Sequence, residues 1–210
     1  MPTAIFHDVI FGPVKSRRLG LSLGVNLLPN DSKLCNFNCI YCECGWGEKS
    51  IKPRFNSRED VKRLLCEKLK EMVAEGTPPD VITFAGNGEP TMHPQCGAII
   101  DDTIALRDEL CPNAKVSVLS NATMIDREPV RLALHKVDRN ILKLDSAIDS
   151  TMALMNQPQK KRTVRETIDL LKLFNGALVI QTMFLRGEYN GQTVDNTTPQ
   201  EVEAWLAALR

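Results

Sequence analysis

The stretch KLCNFNCIYCECGW (33–46) decides how this chain is read. Cys35, Cys39 and Cys42 stand at the spacing C-x-x-x-C-x-x-C, and Cys44 follows two residues later. Thiolates are soft ligands that suit zinc or an iron–sulfur cluster. Gaps of three and two residues let one short loop wrap three corners of a cubane. A [4Fe–4S] cluster normally takes four cysteines, so three at this spacing leave one iron open to another molecule. Cys44 either completes a four-cysteine zinc site or lies beside the metal without binding it. Zinc ligands usually come as two pairs on separate turns, and this loop has no second pair, which favours a non-ligand Cys44.

Outward from the loop, short β-rich runs alternate with longer helical patterns. LSLGVNLL (21–28), DVITFA (80–85), KVSVLS (115–120), NILKLD (140–145) and ALVIQTMFL (177–185) read as strands. Residues 57–75 carry Val61, Leu64, Leu65, Leu69, Met72 and Val73 at helical spacing behind Ser57. Helices are also expected over 95–110, 126–135 and 163–174, and from Thr198 onward. Thr163 with Glu166, and Thr198 with Glu201, have the spacing of capping boxes. Such alternation predicts βαβ units and a parallel sheet. The expected fold is α/β, a partial parallel (β/α) barrel of about five to six strands. The periodicity does not say whether the helices cover one face of the sheet or both. One domain over 1–210 is expected, with 1–29 as lead-in and first strand. The sequence stops at Arg210 after a fifth predicted helix, which suggests a barrel short of its sixth strand.

Ligands of parallel α/β sheets sit at the carboxyl ends of the strands, and the unusual residues of this chain cluster there. The first strand runs into the cysteines and the second into AGNGEPTMHP (85–94). There Gly86 and Gly88 let backbone approach a ligand, Glu89 offers a carboxylate to an ammonium group, and Pro90 stiffens the turn. The third strand ends in SNAT (120–123) and the fourth in KLDS (143–146); Gln181 and Met183 alternate with Thr182 and Phe184 along the fifth.

CNFNCIYC, with an aromatic residue before its third cysteine, resembles the signature of the radical S-adenosylmethionine (SAM) superfamily, and GNGEP resembles that family's glycine–glycine–glutamate–proline turn. The resemblance implies that Cys35, Cys39 and Cys42 hold a [4Fe–4S] cluster whose open iron is chelated by SAM. Reductive cleavage of SAM would then give a deoxyadenosyl radical that abstracts a hydrogen atom from substrate. It places Tyr41 near the adenine and assigns SAM contacts to Gly86, Asn87, Gly88, Glu89, Pro90, Ser120, Asn121, Asp145 and Gln181, with Lys143 and Ser146 within reach of the same pocket. Asn87 stands where the family usually has glycine, and asparagine tolerates left-handed backbone. FGPVKSRRLGLSLGVNLLP (11–29) is similar to the segment preceding the cluster in iron–sulfur oxidoreductases related to the wybutosine-synthesis enzyme, which acts on transfer RNA. That resemblance makes Arg17 and Arg18 candidate anion contacts, or else ion-pair partners at the barrel base. A reductant such as flavodoxin or ferredoxin is the expected electron donor, and the substrate could be transfer RNA, a protein or a small molecule.

The 210 residues carry 26 Lys plus Arg and 26 Asp plus Glu. A zero formal charge argues against a generic nucleic-acid binder, though Lys15, Arg17 and Arg18, or Lys160, Lys161, Arg162 and Arg165, could form a local patch. The second group reads as solvated surface. No apolar run approaches the ~20 residues of a membrane span, and MPTAIFHDVIFGP lacks the form of a secretory signal, so a cytoplasmic protein is expected. Cys66, Cys96 and Cys111 read as small core hydrophobes, and His7, His93 and His135 as structural. The expected activity is that of a radical SAM enzyme, an oxidoreductase. The alternatives are a non-catalytic zinc or iron–sulfur module and a transfer-RNA-modifying enzyme of the wybutosine type.

Overall fold

A computed structural model describes residues 4–47 and 54–210, so the first three residues of the lead-in lie outside it. The main sheet has six strands in chain order: β1 (Ile10–Ser16), β2 (Gly20–Val25), β3 (Val81–Phe84), β4 (Lys115–Ser120), β5 (Arg139–Lys143) and β6 (Val179–Gln181). β1 is antiparallel to β2, and β2 through β6 run parallel. β1 and β6 do not meet, so the sheet stays open.

The helices are α1 (Arg58–Ala74), α2 (Cys96–Leu110), α3 (Glu128–Leu134), α4 (Asp149–Asn156), α5 (Val164–Lys172) and α6 (Pro199–Ala208). Because the parallel strands never reverse order, right-handed crossovers put the connecting helices on one face. The side chains agree. Leu23, Ile82, Phe84 and Val118 alternate along their strands into a core shared with Leu65 of α1 and Ile100 of α2. The opposite face is small and polar, with Ser22 Oγ and Thr83 Oγ1 paired at 2.9 Å. Cys96 and Cys111 are buried in the helix-side core, and Cys66 packs against it. Among the described residues no helix is long and apolar enough to cross a membrane.

The ends of the elements have local causes. Ser57 Oγ accepts from the Asp60 N–H at the start of α1. Thr163 and Glu166 close the expected capping box on α5. Thr198 caps α6, but Glu201 does not return to it. Its carboxylate is buried against Ser146 Oγ (2.7 Å) and Thr151 Oγ1, tying α6 to the loop before α4. Ser146 is therefore structural and not a pocket residue.

The structure corrects the sequence reading in four places. β1 was expected only as lead-in. α4 was not expected. The strand read over 177–185 shortens to Val179–Gln181, because the Met183 N–H donates to Asp145 Oδ1 (2.9 Å) and the Leu185 N–H to Asn196 Oδ1 (2.8 Å), not to a ladder. A hairpin of β7 (Arg186–Tyr189) and β8 (Gln192–Asp195) then turns on Asn190–Gly191, both at positive φ. That dipeptide is the strongest short hairpin signal a sequence carries.

Phe84 is fully buried on the helix-facing side of β3, whereas Val179 on the edge strand is 52% exposed. Phe84→Ala is expected to cost about 3–5 kcal/mol and Val179→Ala within about 0.5 kcal/mol. Urea unfolding midpoints at unchanged m-value check this, and comparable losses at the two positions would overturn the assignment of faces.

Candidate functional site

The cysteine loop is gripped from two sides. On one side Leu34 forms a parallel bridge with Gly88. The Leu34 N–H donates to the Asn87 carbonyl (2.8 Å), and the Glu89 N–H donates to the Leu34 carbonyl (3.1 Å). Gly88 has φ +139°, and a Cβ there would stand 1.9 Å from the Leu34 oxygen. Only glycine allows this approach. On the other side the loop uses the end of α4, whose last carbonyls have no partners within the helix. The Asn38 N–H donates to the Asn156 carbonyl and the Ile40 N–H to the Met155 carbonyl, both at 2.9 Å, and Gln159 Nε2 holds the Cys35 carbonyl (3.1 Å).

Two thiols of the triplet meet a side-chain nitrogen. Asn121 Nδ2 lies 3.5 Å from Cys35 Sγ, and Asn156 Nδ2 lies 3.4 Å from Cys39 Sγ. The Lys33 ammonium, itself nearly buried, donates to the Gly45 carbonyl (2.8 Å) within the same loop. Cys44 Sγ reaches the Gly86 carbonyl at 3.6 Å and also bonds Cys42, which holds the Cys42 thiol down to about 5. Burial pushes the Cys35 thiol up to about 12.

Among the described residues no three Cys, His, Asp or Glu side chains converge on a point that would hold a single metal ion. A mononuclear zinc site needs four donors around one centre at about 2.3 Å for sulfur, and the four-cysteine alternative does not fit this arrangement. A cubane meets each thiolate at a different iron, so ligands spread along a loop suit it. With an N–H donor on the sulfurs of Cys35 and Cys39 and the buried Lys33 ammonium in the same loop, the residues present fit such a cluster.

The GNGEP turn is braced from within. Glu89 is buried, and its carboxylate accepts from Thr91 N (3.0 Å), Thr91 Oγ1, Ser120 Oγ (2.8 Å) and Asn121 N (2.6 Å). Three of these bonds fall on Oε1 and one on Oε2, so with about two acceptor positions per oxygen Oε2 keeps one open, and Ser120 is bonded to Oε1. Burial holds the Glu89 carboxyl above its ordinary range. Positive φ falls on Gly86 and Gly88 and not on Asn87. Asn87 is present for its amide, which donates to the Phe6 and Pro29 carbonyls (2.8 and 2.7 Å) and accepts from Phe6 N (2.9 Å). Asn87, Glu89 and Ser120 thus carry internal bonds at positions where the sequence predicts ligand contacts. Pro90 opens a buried 3₁₀ turn. His93 bonds the Asn56 carbonyl (2.9 Å) and is structural.

A cavity of about 330 Å³ opens at the carboxyl ends of β4 and β5. Asn36 and Phe37 of the cysteine loop line it, with Asn121, Asp145, Asn156 and residues 158–162. Asp145 has a fully buried side chain. Its Oδ2 accepts from Asn156 Nδ2 (2.6 Å) and from the Tyr41 hydroxyl, and Lys143 Nζ donates to that hydroxyl (3.1 Å). Burial raises the Tyr41 phenol. Tyr41 and Gln181 do not line the cavity, whereas Asn121, Asp145 and Lys143 do. Lys160, Lys161 and Arg162, read from the sequence as solvated surface, are lining residues, and Arg162 is paired with Asp126 at 2.9 Å. Arg17 and Arg18 lie exposed in the β1–β2 turn, at the amino end of β2, opposite the cavity. Asn156 escaped the sequence reading because the helix that carries it did.

Comparisons agree with this geometry. The radical SAM superfamily profile matches residues 30–196. The UPF0026 protein MJ1312 of Methanocaldococcus jannaschii is 32% identical over 84% of this chain and 54% of its own length. The UPF0026 protein slr1464 of Synechocystis is 32% identical over 96% of this chain and 71% of its own. A region of the Brachyspira hyodysenteriae protein named GTPase Obg is 34% identical over 86% of this chain but 24% of its own. The chain spans about half the length or less of several of these relatives. Among solved structures, a radical SAM methyltransferase from Sphaerobacter thermophilus superposes with TM-score 0.64 at 15% identity, covering 90% of this chain and 52% of its own. TYW1 with a lysine–pyruvate adduct bound gives 0.58 at 18%, covering 89% and 61%. With the profile spanning both the cysteine loop and the turn that grips it, the chain belongs to the radical SAM superfamily, whose cofactors are a [4Fe–4S] cluster and S-adenosylmethionine.

Proposed function

We propose that this chain is the core of an enzyme in which Cys35, Cys39 and Cys42 ligate the [4Fe–4S] cluster and SAM lies between it and the strand ends. The observation that carries this reading is the Leu34–Gly88 bridge, which seats the three thiols beside the turn at the end of β3. When bound, these cofactors supply reductive cleavage of a sulfonium and abstraction of a hydrogen atom from substrate.

The protein's own residues do the rest. Gly86 and Gly88 expose backbone to the SAM amino group, and Glu89 braces the turn that carries them, its Oε2 keeping an acceptor position for the ammonium. Asn121 and Asp145 present polar atoms to the cavity. Phe37, Leu144 and Met152 add apolar lining that excludes water from a reactive intermediate. Cys44 stays outside the ligand set. Arg127, Lys160 and Lys161 stand at the cavity without a carboxylate partner among the described residues, which favours a substrate bearing negative charge. Its binding should then weaken as salt is raised. A low-potential reductant such as flavodoxin or ferredoxin delivers the electron.

Anaerobic reconstitution with iron and sulfide should give a brown protein that releases 5′-deoxyadenosine from SAM with dithionite. Cys35→Ser, Cys39→Ser and Cys42→Ser should each abolish that release, and Cys44→Ser should retain the cluster. A fully loaded wild-type cluster that yields no deoxyadenosine would overturn the proposal. Gly88→Ala should cost about 1–3 kcal/mol for the backbone conformation alone and lose iron, because the loop is pushed off the turn. Gly176→Ala is the control: it has φ +82° with no atom within 4 Å of the added carbon, so about 1–2 kcal/mol is expected with iron unchanged. Equal iron content in the two variants would remove the bridge from the argument.

A further inference from the structure

Two side-chain nitrogens from distant parts of the chain approach two of the three thiols, and a buried ammonium lies within the loop itself. Asn121 follows β4 and reaches Cys35 from 86 residues away; Asn156 closes α4 and reaches Cys39 from 117 residues away. Lys33 precedes the loop, and its ammonium bonds the Gly45 carbonyl, three residues past Cys42. Their placement is held by other bonds. Asn121 Nδ2 also donates to Asn36 Oδ1 (2.8 Å), while its Oδ1 accepts from Thr123 N (3.0 Å), which fixes the orientation of the amide. Asn156 Nδ2 is anchored on Asp145 Oδ2 at 2.6 Å. Lys33 is only 8% exposed and donates to the Gly45 carbonyl, an uncommon burial for a lysine with no carboxylate partner among the described residues.

We infer that Asn121 and Asn156, by donating to the sulfurs of Cys35 and Cys39, and Lys33, by its buried charge inside the same loop, are positioning residues that set the reduction potential of the cluster. The inference rests on the ligand set proposed above. Reduction adds one electron to the cluster, and part of that charge resides on the thiolate sulfurs. An N–H directed at a sulfur, or an ammonium beside it, stabilises the reduced form more than the oxidised one. Removing a donor therefore lowers the potential and makes the electron harder to deliver. Lys33 carries a full charge into a site that offers it little water, so its removal has the largest effect of the three. It also accounts for the buried cation: the compensating negative charge is the cluster itself.

The test is an EPR-monitored redox titration of the reconstituted protein, after iron, sulfide and the reduced-cluster signal have been counted. Asn121→Leu, Asn156→Leu and Lys33→Met should each shift the midpoint to more negative potential than wild type, Lys33→Met furthest. Asn156→Asp, which replaces the donor by an acceptor, should fall below Asn156→Leu, and Lys33→Arg should restore most of the wild-type value. A merely structural role would change cluster content and leave the midpoint in place. If an asparagine variant fails to hold a cluster, the Lys33→Met and Lys33→Arg pair still decides the matter. Wild-type midpoints in loaded variants would overturn the inference and leave the ligand set standing. A wild-type protein that takes up no cluster on Cys35, Cys39 and Cys42 would overturn both.

Discussion

One backbone contact governs the site: the pairing of Leu34 with Gly88, closed at 2.8 and 3.1 Å across a gap that admits no side chain. It ties the loop leaving the first parallel strand to the turn leaving the second. Both segments are irregular, and an irregular segment holds its shape only if its backbone groups find partners. Here they find each other. The same need on the far side of the loop is met by the orphan carbonyls of α4, so the cysteines are suspended between a turn and a helix end.

Around that contact lies a shell of buried polar groups that satisfy one another. Glu89, Asn87, Asp145 and Asn196 each bond backbone or side chains from two or more elements. Buried polar groups are costly when unpaired and rigid when paired. The strand ends are therefore fixed relative to one another by bonds that would be lost together if the turns moved. Several residues that pattern alone assigns to ligand contact belong to this bracing. The surface left for a ligand comes from their neighbours: exposed backbone at the glycines and the amide of Asn121.

What the sequence made legible was local. The thiol spacing, the glycines of the second turn and the caps at Ser57 and Thr163 are contiguous signals, and the elements they mark stand within a residue or two of expectation. α4 was hidden because it lacks such marks. Its first residue follows Ile148, with no side-chain cap, and it ends on Gln157 at φ +45°, where glycine or asparagine would have flagged the stop. β1 was hidden by Gly12–Pro13 and the register shift between Phe11 and Val14, which break its strand pattern. The internal use of Asn87 and Glu89 depends on partners 58 to 81 residues away or on the neighbouring turn, which no local window contains.

The unclosed side of the sheet has a consequence of its own. Among the described residues β6 pairs only with β5, so Val179–Gln181 presents a row of main-chain donors and acceptors outward, next to the exposed side chains of Met183 and Phe184. Such a rim is a template on which any extended peptide can zip. Purified alone at high concentration, this polypeptide would tend to self-associate along that rim, and charged or proline-bearing replacements at its outward positions would be the means to keep it dispersed.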